Sequence, residues 1–66
     1  MQIVVNGQPR TAAERLALPV LIEELNLAGR RLAVELNGAI VPRSSWAQTA
    51  LCDGDRLEIV HAIGGG

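Results

Sequence analysis

The residues best placed to do chemistry are Ile63-Gly64-Gly65-Gly66. Glycine loses more backbone freedom on ordering than any other residue, so three in succession add little to a fold. As an arm leaving a strand they present the Gly66 carboxylate with no side chain to obstruct it. Four residues from Ile63 onward reach about 13 Å, at ~3.3 Å per residue. That reach lets a narrow enzyme channel take the arm while a globular body stays outside. Gly66 is therefore the candidate for covalent modification, and Ile63, Gly64 and Gly65 are the candidates for lying in a partner's channel. A passive frayed tail is the plainer reading. Against it stands the preceding segment, Leu57-Glu58-Ile59-Val60-His61-Ala62-Ile63, which is apolar and β-branched enough to form an anchored strand and give the arm a fixed root.

Other reactive side chains assemble less well. Cys52 and His61 are the ingredients of a thiol–imidazole pair. Cys52, however, lies between Leu51 and Asp53, an acidic neighbourhood rather than the cationic one a reactive thiolate needs. It is expected to be a small apolar filler, dispensable for function. His61 is expected at a strand position near the root of the arm, with a partner contact as the second reading. Asp53-Gly54-Asp55 opens as a calcium loop would, but the further oxygen ligands do not follow, and a turn accounts for it. No Cys/His spacing for zinc and no glycine-rich phosphate loop occurs, so no metal site is expected. Trp46 is expected to cover the core beneath a connector, and it is also a candidate partner contact, because tryptophans are frequent binding hot spots.

Composition narrows the classes further. Sixty-six residues, 48% of them hydrophobic, predict a single folded domain over 1–66 with a flexible glycine arm over 64–66. The net charge of −1, six dispersed arginines and one aromatic residue argue against nucleic acid. The longest apolar runs fall far short of the ~20 residues that span a bilayer, so no membrane is expected. No signal-peptide pattern opens the chain and its one cysteine allows no internal disulfide, which together predict a cytoplasmic location. The chain contains no lysine and is a poor acceptor for isopeptide chains of itself.

The elements that must position the arm follow from period and turn chemistry. Gln2 to Asn6 is a β-branched run, Asn6-Gly7 a hairpin turn, and Gln8 to Thr11 the returning strand, with Pro9 at an edge. Leu18-Pro19 begins a helix with proline at its first position, and Leu18, Leu21, Ile22 and Leu25 form its apolar stripe. Gly29 suits a left-handed cap at its end. Arg31 to Leu36 alternates, Asn37-Gly38 turns, and Ala39-Ile40-Val41 returns until Pro42 stops it. A connector from Arg43 to Ala50, with a turn of helix around Trp46, leads through the Asp53-Gly54-Asp55 turn into the last strand. The order β-β-α-β-β-β describes an α+β fold, the β-grasp or ubiquitin-like architecture: a mixed sheet of four to five strands with one crossing helix. The first and last strands pair in parallel at its centre.

Val41-Pro42-Arg43-Ser44-Ser45-Trp46, Leu51-Cys52-Asp53-Gly54-Asp55 and Glu58-Ile59-Val60-His61-Ala62-Ile63-Gly64-Gly65-Gly66 together resemble the sulfur carrier proteins of thiamine biosynthesis. The resemblance implies a protein co-substrate rather than an enzyme, with no cofactor of its own. A partner adenylating (E1-like) enzyme would use ATP and magnesium to activate the Gly66 carboxylate. Sulfur from a cysteine desulfurase relay would displace AMP to leave a thiocarboxylate. Thiazole synthase would take that sulfur for the thiazole ring. Small subunits of molybdopterin synthase are similar, but they carry a more aromatic segment before their Gly-Gly end, and this chain has no Phe or Tyr. Carriage of sulfur for molybdopterin or another pathway, a ubiquitin-like modifier, and a non-covalent interaction module are the alternative readings.

Overall fold

The computed structural model describes residues 1–62. Ile63, Gly64, Gly65 and Gly66, and with them the expected arm, lie outside the described residues.

Two strands, β1 (Gln2–Val5) and β2 (Gln8–Thr11), form an antiparallel hairpin around Asn6-Gly7. Asn6 and Gly7 both have positive φ, 51° and 80°, the double left-handed turn whose twist matches that of the strands it joins. Helix α1 (Leu18–Glu24) follows, then β3 (Leu32–Leu36), β4 (Ala39–Ile40), a 3-10 helix (Arg43–Gln48) and β5 (Arg56–His61). The five strands lie in the order β2-β1-β5-β3-β4, with β1 and β5 parallel and every other pair antiparallel. The last strand is thus the middle one. Its alternation puts Leu57 and Ile59 on the covered face and leaves Arg56, Glu58 and Val60 exposed.

The core forms between that face and the helix. Ile3, Val34, Leu57, Leu18, Leu21 and Leu51 are each at most 1% exposed. Burying one such side chain contributes about 1.5–3 kcal/mol, so a chain this small depends on nearly all of them. Of the expected helical stripe, Leu18, Leu21 and Ile22 are buried, while Leu25 only packs against the cluster.

Three local expectations are corrected. The first helical residue is Leu18, which makes Pro19 the second. The helix N-terminus carries no side-chain cap. Instead Leu18 N–H donates to Thr49 O (2.9 Å), Pro19 has no N–H, and Val20 N–H donates to Ala17 O. The orphan donors of the first turn are accounted for in that way. Gly29 does not cap the helix. The helix ends at Glu24 and Asn26, at φ 62°, takes the left-handed position. Asn26 N–H then donates to Glu23 O and Leu27 N–H to Ile22 O, the paired bonds of a Schellman ending. Gly29, at φ 81°, belongs to the next turn, where Arg30 N–H donates to Leu27 O. Finally, the strand ends differ: β5 ends at His61, before Ala62, and β4 ends at Ile40 rather than Val41.

The connector is more than a link. An antiparallel bridge joins Ala17 to Ala50, with Leu51 N–H donating to Leu16 O (2.8 Å). It brings Leu16 and Leu51 into the core, neither of which the strand and helix periodicities single out.

Candidate functional site

The site begins with β5, because it carries the chain to the tail. On one side β3 pairs with it from Leu36 opposite Leu57 to Leu32 opposite His61, and Ala62 N–H donates to Arg31 O. On the other side β1 pairs with it only at Val4↔Arg56 and Val5↔Leu57. Asn6 N–H donates to Leu57 O (2.8 Å), and there the chain turns away. Past that point the Asn6 side chain continues the pairing: Oδ1 accepts from Ile59 N–H (2.7 Å) and Nδ2 donates to Ile59 O (3.0 Å).

The other end of β5 is braced by a loop. Asp53 Oδ1 accepts from Gln2 N–H (2.7 Å), Asp55 Oδ2 accepts from Cys52 N–H (2.8 Å), and Gly54 N–H donates to Gln2 O. Both carboxylates therefore serve the turn, and the described residues contain no His/Cys/Asp/Glu group arranged to hold a metal ion. Asn37, in the second Asn-Gly turn, accepts from Arg56 N–H (3.0 Å) and donates to Asp55 Oδ1 (3.0 Å).

The reactive side chains are not brought together. Cys52 is exposed in the loop before β5 rather than the apolar filler expected, its neighbour Leu51 taking the core position, whereas His61 is the last residue of β5. Arg56 and His61 are five strand steps apart, about 16 Å at ~3.3 Å per residue, so no thiol–imidazole pair forms. His61 is exposed opposite Leu32 at the end nearest the tail. Trp46 is buried in the core, 9% exposed, with its indole N–H donating to Val41 O (2.9 Å). The Arg43 guanidinium carbon lies 4.7 Å from the ring centroid, a cation–π contact that closes the outer side of the ring.

A feature that motif reading missed is the uncovered face of the sheet. Helix α1 packs on one face, and on the other a concavity of about 480 Å³ is lined by Val4, Glu35, Arg56 and Glu58 among others. Glu35 and Glu58 stand directly opposite each other on β3 and β5. Like charges so placed disfavour pairing rather than support it. The exposed Val60 and Ile40 belong to the same face, by their pairing with Ala33 and Glu35. Strand alternation carried the signal, but only the pairing register shows that these residues share a face.

A mixed five-stranded sheet grasping one helix, with a central last strand leading to the tail, defines the ubiquitin-like β-grasp class. A thiamine biosynthesis protein (ThiS) from Geobacter metallireducens, known from a crystal structure, superposes with a TM-score of 0.87 at 38% identity, covering 100% of both chains. The model of the ThiS family matches residues 3–66, and the chain belongs to that family. Among curated relatives, the sulfur carrier protein ThiS of Escherichia coli is 36% identical over 66 residues, covering all of both chains. A thiazole synthase of Paramagnetospirillum magneticum is 48% identical over the same 66 residues, which are 20% of its length. A second thiazole synthase, from Magnetococcus marinus, is 39% identical and also matched over 20% of its length. The chain thus spans a fifth of these thiazole synthases. Among the described residues no helix is long and apolar enough to cross a membrane.

Proposed function

We propose that the protein is a sulfur carrier for the thiazole ring of thiamine, acting as a co-substrate of other enzymes and catalysing nothing itself. The observation that carries this reading is the family match over residues 3–66, which runs through Gly66. The placement of β5 supports it, since a central strand held on both sides gives the tail a fixed root.

The chemistry needs a free carboxylate at Gly66. A carboxylate is a poor electrophile until a leaving group is attached. An E1-like enzyme supplies one by transferring AMP from ATP, with magnesium, and releasing pyrophosphate. The terminal sulfur of a persulfide from a cysteine desulfurase relay attacks the acyl carbon and the C–O bond to AMP breaks; a thiol then attacks the relay sulfur of the acyl disulfide, forming a disulfide and releasing the thiocarboxylate. Its terminal sulfur is then a nucleophile for thiazole synthase. The matched thiazole synthases, which contain a region similar to this chain, support that enzyme as the acceptor. Ile63, Gly64 and Gly65 lie in the partner's channel in this scheme, and the body docks outside it.

Intact-mass analysis of the protein isolated from its native cells tests the reading. A population heavier by one oxygen-to-sulfur exchange, localised to Gly66 and depleted when thiazole synthase is active, is the expected result. Covalent conjugates would make it a modifier, and an unmodified Gly66 under thiamine starvation would leave a non-covalent module. Depletion by a molybdopterin synthase large subunit instead would move it to that pathway.

A further inference from the structure

We infer that Asn6 is a positioning residue for the reaction at the tail, acting through its grip on Ile59; the inference rests on the carrier function proposed above. On β5 the backbone groups of Leu57 and Ile59 face the β1 side, as the bond from Asn6 N–H to Leu57 O shows, while Ala62 N–H faces β3 and donates to Arg31 O. β1 has no backbone left to offer Ile59, because the chain reverses at Asn6-Gly7. A side-chain amide is chemically a peptide unit, with one acceptor and an N–H donor set side by side. The Asn6 amide uses both on Ile59, at 2.7 and 3.0 Å, and so lengthens the parallel pairing by one residue without lengthening the strand. These are the last hydrogen bonds that the β1–β2 hairpin makes to β5 among the described residues.

Ile59 stands three residues before Ala62, about 10 Å along the strand. Past Ile59 β5 is held by β3 and no longer by the hairpin, so a tilt of about 6° about the β3 pairing moves Ala62 by ~1 Å, and a displacement of that size passed on to the reacting group can cost on the order of a hundredfold in rate. Asn37 is the matched counterpart. It also sits at positive φ before a glycine and also holds β5 backbone, but at Arg56, the end away from the tail. Glycine at either position keeps the left-handed turn and removes only the side-chain grip.

The test compares Asn6→Gly and Asn37→Gly in the full chain. ATP–pyrophosphate exchange with the adenylating enzyme of the same organism is measured below both melting temperatures. Asn6→Gly is expected to lower kcat about tenfold with KM within twofold of the unaltered protein, since the body docks as before and the carboxylate arrives misplaced. Asn37→Gly is expected to leave both constants unchanged. Amide hydrogen exchange should quicken at Ile59 in Asn6→Gly, and at Arg56 in Asn37→Gly. Should Asn6→Gly fail to fold, Asn6→Asp takes its place: it keeps the acceptor for Ile59 N–H and loses the donor to Ile59 O. Equal kcat values for the folded Asn6 variant and the unaltered protein would overturn the inference, as would an equal loss in both glycine variants. If the unaltered protein itself is not adenylated, the carrier function fails, and exchange at Ile59 alone then decides whether Asn6 anchors this end of the strand.

Discussion

The protein uses the dipeptide Asn-Gly twice, at 6–7 and 37–38, and both copies form left-handed turns whose asparagine side chains hold the backbone of β5. Their surroundings differ. Asn37 works where β5 begins, beside a loop already braced by Asp53, Asp55 and the Gly54–Gln2 bond, and its own N–H also donates to Arg56 O. Its two side-chain bonds are part of a redundant set. Asn6 works where the β1 pairing stops and the chain continues toward the tail, and it alone serves Ile59 from that side. One short motif is a fastening for the fold at one end of β5 and a guide for the tail at the other. The lesson is that redundancy, more than the bond itself, decides whether a contact is felt in function.

The comparison breaks first if the tail end of β5 controls anything other than the reaction. Deleting Gly66 shortens the reach by ~3.3 Å. The truncated chain is expected to melt like the full one and to lose adenylation by a hundredfold or more, on the order set by small misplacements of reacting groups. Gly65→Val keeps the length, adds bulk and should fail in the same assay. Activity in both variants would remove the tail from the mechanism.

Leu57, 1% exposed and between the two asparagine grips, should show the opposite balance. Leu57→Ala is expected to destabilise by about 2–5 kcal/mol through the cavity it leaves, read by chemical denaturation. At temperatures where the variant is still folded its adenylation should stay within severalfold. Trp46→Phe should cost about 1 kcal/mol, because Val41 O loses its donor while the ring still fills the core. Its adenylation rate should not change; a weaker KM would instead give Trp46 a part in docking. Cys52→Ser should have the smallest effect. The side chain is exposed beyond the start of β5, so stability should move by no more than about 0.5 kcal/mol and thiocarboxylate should form as before. A folded Cys52→Ser variant without thiocarboxylate would require a covalent relay through this thiol.

Much of this architecture was legible in the residues. Both hairpins announce themselves through Asn-Gly, the β3 alternation through Leu32, Val34 and Leu36, and the helix through Leu18, Leu21 and Ile22. These signals are local: turn conformation and side-chain period depend on neighbours within a few positions. The helix ending was misplaced because two candidates, Asn26 and Gly29, stand three residues apart. Which takes the left-handed position depends on where the last turn packs Leu25 and Leu27 against the core. Leu16 and Leu51 were missed because they reach the interior through one isolated bridge rather than a repeating pattern.

The chain's order of turns, strands and helix, and the chemistry available at its glycines, were determined by sequence alone, because backbone preference and amphipathic period are written residue by residue. Only the tertiary structure decided which groups meet across long separations. Asn6 and Ile59 are 53 positions apart and Asn37 and Asp55 are 18. No period or propensity encodes such a meeting; it follows from the parallel placement of β1 beside β5 and the antiparallel register of β3. That placement gave one asparagine a redundant bond and the other the last hold that the β1–β2 hairpin has on the strand that leads to the tail.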